Sequence, residues 1–394
     1  MGRTSENMTS RERVHAAIQG LPIDRVPVFY WINAHTGCRL MSEFRPARKK
    51  WWNTMAKFLW KKYQEHRDPG EIWRLLPLTF DIHTFNFSNA YGLDMGADMC
   101  LASYAAPWRY ATFFLKDGHI MIKDIYGVKR ALGAGIYPDM VEPAIHNIHE
   151  AKEYQFPDPK RDSFYNIFRR YRRDYPHASI AAEVWGPQDF TSTSMFGMEA
   201  YMLNLIDYPE EMQDFLRRWT DYHIEVVRRS VAAGADMIFI EDDYGYDNKP
   251  LMSMRMWKEF TMPHLKRLVD AGHEVGVPVC LHSCGFQISF LDSYVEIGID
   301  LIQSFQAKAG NDFTKGYAQY GDRLGFVTGI DVQLGEFMSP NEFRQQIIDN
   351  YRIAGRKGRH ILGTNHEIQP TMPDANIRAL FATVSEIQQG LHDK

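Results

Sequence analysis

No run of about 18 apolar residues occurs anywhere in the 394-residue chain, so nothing in it reads as a membrane span. The opening Met1-Gly2-Arg3-Thr4-Ser5-Glu6-Asn7 lacks the apolar core of a signal peptide. Cysteine is scarce: Cys38, Cys100, Cys280 and Cys284 are too few and too scattered for a disulfide framework, and the expectation is a reduced, cytoplasmic protein. Basic excess is missing as well. A net charge of -4 and a pI near 6.4 argue against a nucleic-acid partner. Internal repeats and low-complexity segments are absent. What the chain does have is apolar and aromatic matter, 45% and 13% of its residues, enough for a large core and for rings lining a pocket. The length permits two domains, but one elaborated α/β barrel reaches this size, and a single domain over 1–394 is expected.

The most telling stretch is Val277-Pro278-Val279-Cys280-Leu281-His282-Ser283-Cys284-Gly285. An apolar run bounded by Pro278 and Gly285 reads as a strand buried on both faces. His282 and Cys284 stand two residues apart, so on an extended chain both side chains share a face. An imidazole and a thiol converging at a strand end form half of a zinc site. The bland alternative is a core histidine beside a small buried thiol.

Taken in order, Ser10 to Gln19 reads as a helix stopped by Gly20, and Asp24 to Trp31 as a first strand. Residues 40 to 66 are basic, aromatic and helical in pattern. A second strand is placed at Thr79 to Phe85, carrying Asp81 and followed by Asn86. Between about 92 and 160 the periodicity changes, and His119 to Arg130 looks like paired strands around a turn within an insertion. An Arg-rich helix follows at Phe164 to Asp174. Strands are then predicted at Ser179–Val184, Asp236–Glu241, Pro278–His282, Asp300–Phe305, Leu324–Gly329 and Arg359–Gly363, with helices between them. Eight strands alternating with helices predict a (β/α)8 TIM barrel with an N-terminal helical segment and an inserted β-hairpin region.

In such a barrel, functional groups gather where strands end and loops begin. The polar residues there are Glu183 and Trp185, Glu241-Asp242-Asp243-Tyr244, His282 and Cys284, Gln303 and Gln306, Asp331, and Asn365-His366-Glu367. Three successive acids after Phe239-Ile240 exceed what a purely structural barrel needs, although acids also cap helices and solvate loops. Tyr30, Trp31, Phe85, Trp185, Tyr244 and Tyr246 lie near predicted strand ends and could line a pocket, or simply pack.

Several of these stretches together resemble the uroporphyrinogen decarboxylase superfamily. They are Arg11-Glu-Arg-Val-His-Ala-Ala-Ile18 with Asp24-Arg25-Val-Pro-Val28, Glu241-Asp242-Asp243-Tyr244-Gly245, Leu281-His282-Ser283-Cys284-Gly285, Gly329-Ile330-Asp331-Val332-Gln333 and His366-Glu367-Ile368-Gln369-Pro370. The motifs cover nearly the whole chain and fall in the family's order. One branch of the superfamily decarboxylates porphyrinogens without a cofactor and uses arginines near its N-terminus to hold substrate carboxylates. Here Trp31-Ile-Asn-Ala-His-Thr-Gly-Cys-Arg39 lacks that arginine-rich pattern, which ranks this reading second. The other branch comprises zinc- and corrinoid-dependent methyltransferases, whose coenzyme M members use a His-x-Cys pair and a later Cys as zinc ligands. His282 and Cys284 match the pair, and His366 stands where the later Cys is expected. That makes the implied site harder, suited to polarising an oxygen rather than activating a thiol. In the more distant cobalamin-independent methionine synthase a Glu ligand follows one strand later, where this sequence has Gln306.

The resemblance therefore implies a methyltransferase moving a methyl group from a small O-methyl compound, aromatic or simple, to the cobalt of a separate corrinoid protein, as in the first component of an O-demethylase. Zinc held by His282, Cys284 and His366 would act as Lewis acid. Asp243, Glu241 and Glu183 are the candidates for a general acid or a fourth ligand. Trp31, Asn86, Trp185, Tyr244 and Gln306 are the candidates for substrate contact. The partners implied are the small methyl donor and a corrinoid protein docking at the barrel mouth, with a homodimer allowed and neither nucleic acid nor membrane expected. A barrel that has lost catalysis and serves as a binding subunit is the third class, and a metal assay separates it from the others.

Overall fold

The computed structural model describes residues 8–66, 83–104, 111–116, 119–131 and 139–393. Eight parallel strands close into a barrel: β1 (Val28–Phe29), β2 (Met99–Ser103), β7 (Ser179–Trp185), β8 (Met237–Glu241), β9 (Val279–Ser283), β10 (Leu301–Ser304), β11 (Gly325–Ile330) and β12 (His360–Thr364). Each neighbours the next in sequence order, and β12 returns to β1 through Val28 opposite Leu362. Between β2 and β7 the chain leaves the barrel as a four-stranded antiparallel sheet, β3 (Thr112–Lys116), β4 (His119–Lys123), β5 (Lys129–Ala131) and β6 (Asp139–Glu142), in that order. The fold is thus a TIM-like α/β barrel with an inserted sheet, and the strand pair predicted at His119 to Arg130 is β4 with β5.

Strand alternation builds two cores. One face of the strands sends Ile180, Ala182, Ile238, Ile240, Leu281, Ile302, Phe326 and Leu362 outward against the helices. The other sends Met99, Leu101, Ala181, Met237, Phe239, Cys280, Leu301, Val327 and Ile361 into the barrel interior. Helix Ser10–Ile18 closes the floor with Val14 and Ile18 in that interior cluster. Its start is fixed by a capping box, Thr9 accepting from the Glu12 amide while Glu12 reaches back.

The floor also explains the opening motif. Asp98, just before β2, accepts from Arg13 at 2.7 Å, from Arg25 at 2.7 Å and from the Val28 amide at 3.0 Å. Arg13 forks onto both oxygens of Asp24 at 2.6 Å, and Arg11 pairs with Asp236, just before β8, at 2.7 Å. These cations hold the strand entrances together, far along the strands from the loops that follow them.

One strand assignment is corrected. The second barrel strand is β2, not Thr79 to Phe85: residues 79–82 lie outside the described residues, and 83–85 open helix His83–Asp94. Met-Cys-Leu-Ala-Ser is a short buried run whose mouth end carries only Ser103, with no acid, imidazole or amide to single it out. It had been absorbed into the predicted insertion, whose sheet spans only 112 to 142. Asn86, expected beyond a strand end, lies on that helix instead. The basic aromatic segment forms two helices, Ala34–Glu43 and Lys50–His66.

Candidate metal and acid site at the barrel mouth

The site is the top layer of the barrel interior. Each inward row of apolar residues ends, one step further, in a polar one: Ala181 leads to Glu183, Phe239 to Glu241, Cys280 to His282 and Leu301 to Gln303. Strand register sets them side by side, Glu241 opposite His282 and His282 opposite Gln303.

Three donors converge there. Among the described residues, Asp243, His282 and Cys284 offer ligand atoms all within 4.8 Å of one another. His282 Nε2 stands 3.3 Å from Cys284 Sγ and 3.7 Å from Asp243 Oδ1. The Cys284 amide donates to that same carboxylate at 2.6 Å, which pins the two loops together. Burial drives the His282 imidazole toward its neutral form, against the pull of Asp243 and Gln303. The Cys284 thiol is pushed well up, by burial first and then by Asp243. Gln306 Nε2 and Ser304 Oγ sit 3.6 and 3.8 Å from the sulfur. A neutral imidazole, a carboxylate and a thiol that ionises only beside a cation form a donor set suited to zinc. The residues present fit the implied metal on those grounds.

His366 is near this group but outside it. Its ring stacks on Trp31 at 5.8 Å, and its centroid lies 6.4 Å from that of His282. Trp31 in turn meets His282 edge-on at 4.9 Å, and its indole N–H is buried without a partner. The two histidines thus share one aromatic wall, whereas the compact third donor is Asp243.

Beside the donors stands an acid pair. The Glu241 carboxyl is pushed well above the ordinary carboxylate range, first by burial and then by Glu183 on the adjacent strand. Its Oε2 is buried with no hydrogen-bond partner. Asp189, in the loop after β7, is also lifted, to about 7, by burial and by the nearby Asp243. Arg130 of the inserted sheet opposes that lift. Asp189 and Arg130 were not picked out from sequence, since neither belongs to a motif and Arg130 arrives from 59 positions earlier in the chain.

The remaining candidates divide by side-chain direction. Asp242 points away from its two acidic neighbours and accepts from the amides of Gln188 and Asp189, shaping the Gly186-Pro187 turn. A Cβ at Gly186 would meet its carboxylate at 2.3 Å. Tyr244 is corrected from substrate contact to outer core: it is fully buried and packs on Trp257 at 5.4 Å and Phe290 at 5.8 Å. Gln306 accepts from the Gly285 amide at 2.8 Å and points its NH2 at the thiol, so it supports Cys284. Trp185 is half-buried against Phe190 at 4.7 Å, at the mouth end of β7. Asp331 caps the turn after β11 by accepting from the Leu334 amide at 3.0 Å. The motif glycines have one shared cause: a Cβ at Gly245 would lie 2.3 Å from the Phe286 amide, and one at Gly285, where φ is 75°, 2.6 Å from Gly245.

A sequence profile of the family described as "Uroporphyrinogen decarboxylase (URO-D)" matches residues 95–387. The chain belongs to the uroporphyrinogen decarboxylase family. Among sequence relatives, "Uroporphyrinogen decarboxylase 2, chloroplastic" from Arabidopsis thaliana is 24% identical, the match covering 96% of this chain and 87% of that one. The uroporphyrinogen decarboxylase of Crocosphaera subtropica is 24% identical over 74% of this chain and 83% of its own. A solved structure titled "methyltransferase from Methanosarcina mazei" superposes with a TM-score of 0.67 at 17% identity, covering 96% of this chain and 99% of that one. That last likeness shows a shared fold. Among the described residues, four arginines near the N-terminus are engaged structurally. Arg11, Arg13 and Arg25 bind the floor carboxylates, and Arg39 donates to the carbonyls of Pro370 and Met372 at 2.8 Å while pairing with Asp374.

Proposed function

We propose that this URO-D family protein is a methyltransferase that removes a methyl group from a small O-methyl substrate, aromatic or simple, and passes it to the cobalt of a separate corrinoid protein. The observation that carries the reading is the convergence of Asp243, His282 and Cys284 beside the buried Glu241 carboxyl, which is pushed above the ordinary carboxylate range. Those three residues would hold zinc, and zinc would supply Lewis acidity toward the ether oxygen. His366, across the Trp31 wall, is close enough to serve the same centre if its side chain turns.

An ether is a hard substrate because alkoxide and phenoxide leave poorly. Glu241 answers that difficulty. Burial and Glu183 favour its protonated form, and that proton passes to the oxygen as the C–O bond breaks and its electron pair stays on oxygen. The charge of Glu183 on the adjacent strand helps raise the proton affinity of Glu241 before that transfer. The methyl carbon meanwhile bonds to the acceptor cobalt(I), so the chain needs no nucleophile of its own. Trp31 and Trp185 shape the mouth and exclude water.

Cofactor-free decarboxylation of a porphyrinogen is the second reading, favoured by the names of the sequence relatives. It needs cations facing the mouth, and the arginines available near the first strand are engaged elsewhere. The deciding experiment is single-turnover methyl transfer. Zinc-loaded protein, a reduced corrinoid protein and a panel of methoxylated aromatics and simple methyl ethers should give the methylcobalt absorbance with at least one donor. Decarboxylation of a porphyrinogen without any methyl transfer would replace this reading by the second.

A further inference from the structure

The hydrogen bonds behind His282 are as informative as the donors in front of it. Gln303 is fully buried on β10, directly opposite His282 in register. Its Nε2 donates to the main-chain carbonyl of Thr364 at 2.8 Å. Its Oε1 faces His282 Nδ1 at hydrogen-bond distance. The orientation of this amide follows from chemistry alone. A carbonyl oxygen only accepts, so the Gln303 atom facing Thr364 must be the NH2. The oxygen then faces His282, and because it too only accepts, His282 Nδ1 must carry a proton.

We infer that Gln303 is a positioning residue that fixes His282 as the Nδ1–H tautomer, leaving Nε2 as a bare lone pair aimed at Asp243 and Cys284. The inference rests on the zinc-site part of the proposed function for its purpose, though not for its geometry. Without Gln303 the tautomer would reverse. The Asp243 carboxylate lies 3.7 Å from Nε2 and is the strongest acceptor near the ring. It would draw the single proton of a neutral imidazole to Nε2 and block that nitrogen as a ligand. Gln303 wins this competition by offering a buried, in-register acceptor with no freedom to turn away. Thr364 adds a second tie, since its hydroxyl accepts from the Trp31 amide at 3.0 Å while its carbonyl holds Gln303. The wall and the ligand orienter are thereby set by one residue at the end of β12. Such partners of ligating histidines fix ring orientation and raise donor strength, and their loss costs roughly 10- to 100-fold in metal affinity.

The test has two readouts on the full chain. The first is long-range 1H–15N correlation of metal-free wild-type protein with 15N-labelled imidazoles, the His282 signals being identified by their loss in His282→Ala. The expected result is a proton on Nδ1 and none on Nε2. A proton on Nε2 overturns the inference whether or not zinc binds. The second is the zinc dissociation constant by chelator competition. Gln303→Leu should weaken binding by roughly 10- to 100-fold, and Gln303→Glu, which keeps an acceptor at Nδ1 but loses the donor to the Thr364 carbonyl, should weaken it less. Equal affinity of wild type and Gln303→Leu overturns the inference while leaving the zinc site standing. If wild type takes up no zinc, the proposed function fails, and the tautomer measurement still decides the role of Gln303. Should Gln303→Leu fail to fold, Gln303→Glu and the wild-type spectrum carry the test.

Discussion

Replacing Glu241 by Gln keeps its shape and removes its proton. Methyl transfer should fall by roughly a hundred- to ten-thousandfold, with zinc content unchanged, as measured in single turnover beside elemental analysis. His282→Ala and Cys284→Ala should instead abolish zinc uptake. Equal loss of metal in Glu241→Gln would mean that Glu241 is a ligand and not the acid. A different residue reports on stability. His360 is wholly buried, donates from Nε2 to the Thr328 carbonyl at 3.1 Å, and is lowered to about 4 by burial. The unfolded chain therefore binds this proton from about pH 6.5 downward while the fold refuses it until about 4, so stability falls as pH falls through that window, by up to roughly 3 kcal/mol. His360→Gln should flatten that fall in urea unfolding compared at about pH 7 and about pH 5. At this scale the sequence was partly readable. A two-residue spacing put His282 and Cys284 on one face. The sequence named Asp243 and Glu241 but not Asp242, without deciding which of them joins the metal donors, because side-chain direction past the last strand hydrogen bond is set by the loop. Tyr244 misled for the same reason: it shares the outward parity of Asp242.

Elements explain where the reading held and where it slipped. Strands β7 to β12 announce themselves as short apolar runs ending in a polar residue, because each is buried on both faces until it reaches the mouth. β2 ends in Ser103 alone, with no acid, imidazole or amide at its mouth end, and was passed over. The Arg-Glu-Arg-Val and Asp-Arg-Val-Pro motifs were legible as family marks, but their work at the floor was not, since the partners Asp98 and Asp236 lie far along the chain. Arg13→Ala would leave Asp98 and Asp24 short of their buried cation. Removing one partner of such a network costs about 3–5 kcal/mol, and calorimetry should show the drop with the zinc stoichiometry intact. Gly285→Ala acts at the other rim. It forces a side chain into a left-handed residue against the Gly245 backbone, so it should lower both melting temperature and zinc affinity, displacing the Cys284 amide from Asp243. Melting unchanged would show that the close approach of the two loops is not needed.

For the whole molecule, the architecture was legible because eight repeats of one pattern average out local errors, and a missed strand shifts the count without changing the class. Among the described residues no helix is long and apolar enough to cross a membrane. The chemistry was legible only as far as residue types allow: a His-x-Cys pair says metal, and neighbouring acids say proton transfer. That Asp243, among the candidate acids, joins the pair and that Gln303 orients His282 are tertiary facts, made by contacts between residues 41 and 21 positions apart. The central claim is that the mouth holds a metal through one imidazole, one thiolate and one carboxylate. Zinc K-edge X-ray absorption on the loaded, chelator-free wild-type chain measures this most directly. The account expects about one zinc per chain with a single sulfur near 2.3 Å and nitrogen or oxygen neighbours near 2.0–2.1 Å. No uptake of zinc, or a shell without sulfur, would contradict it.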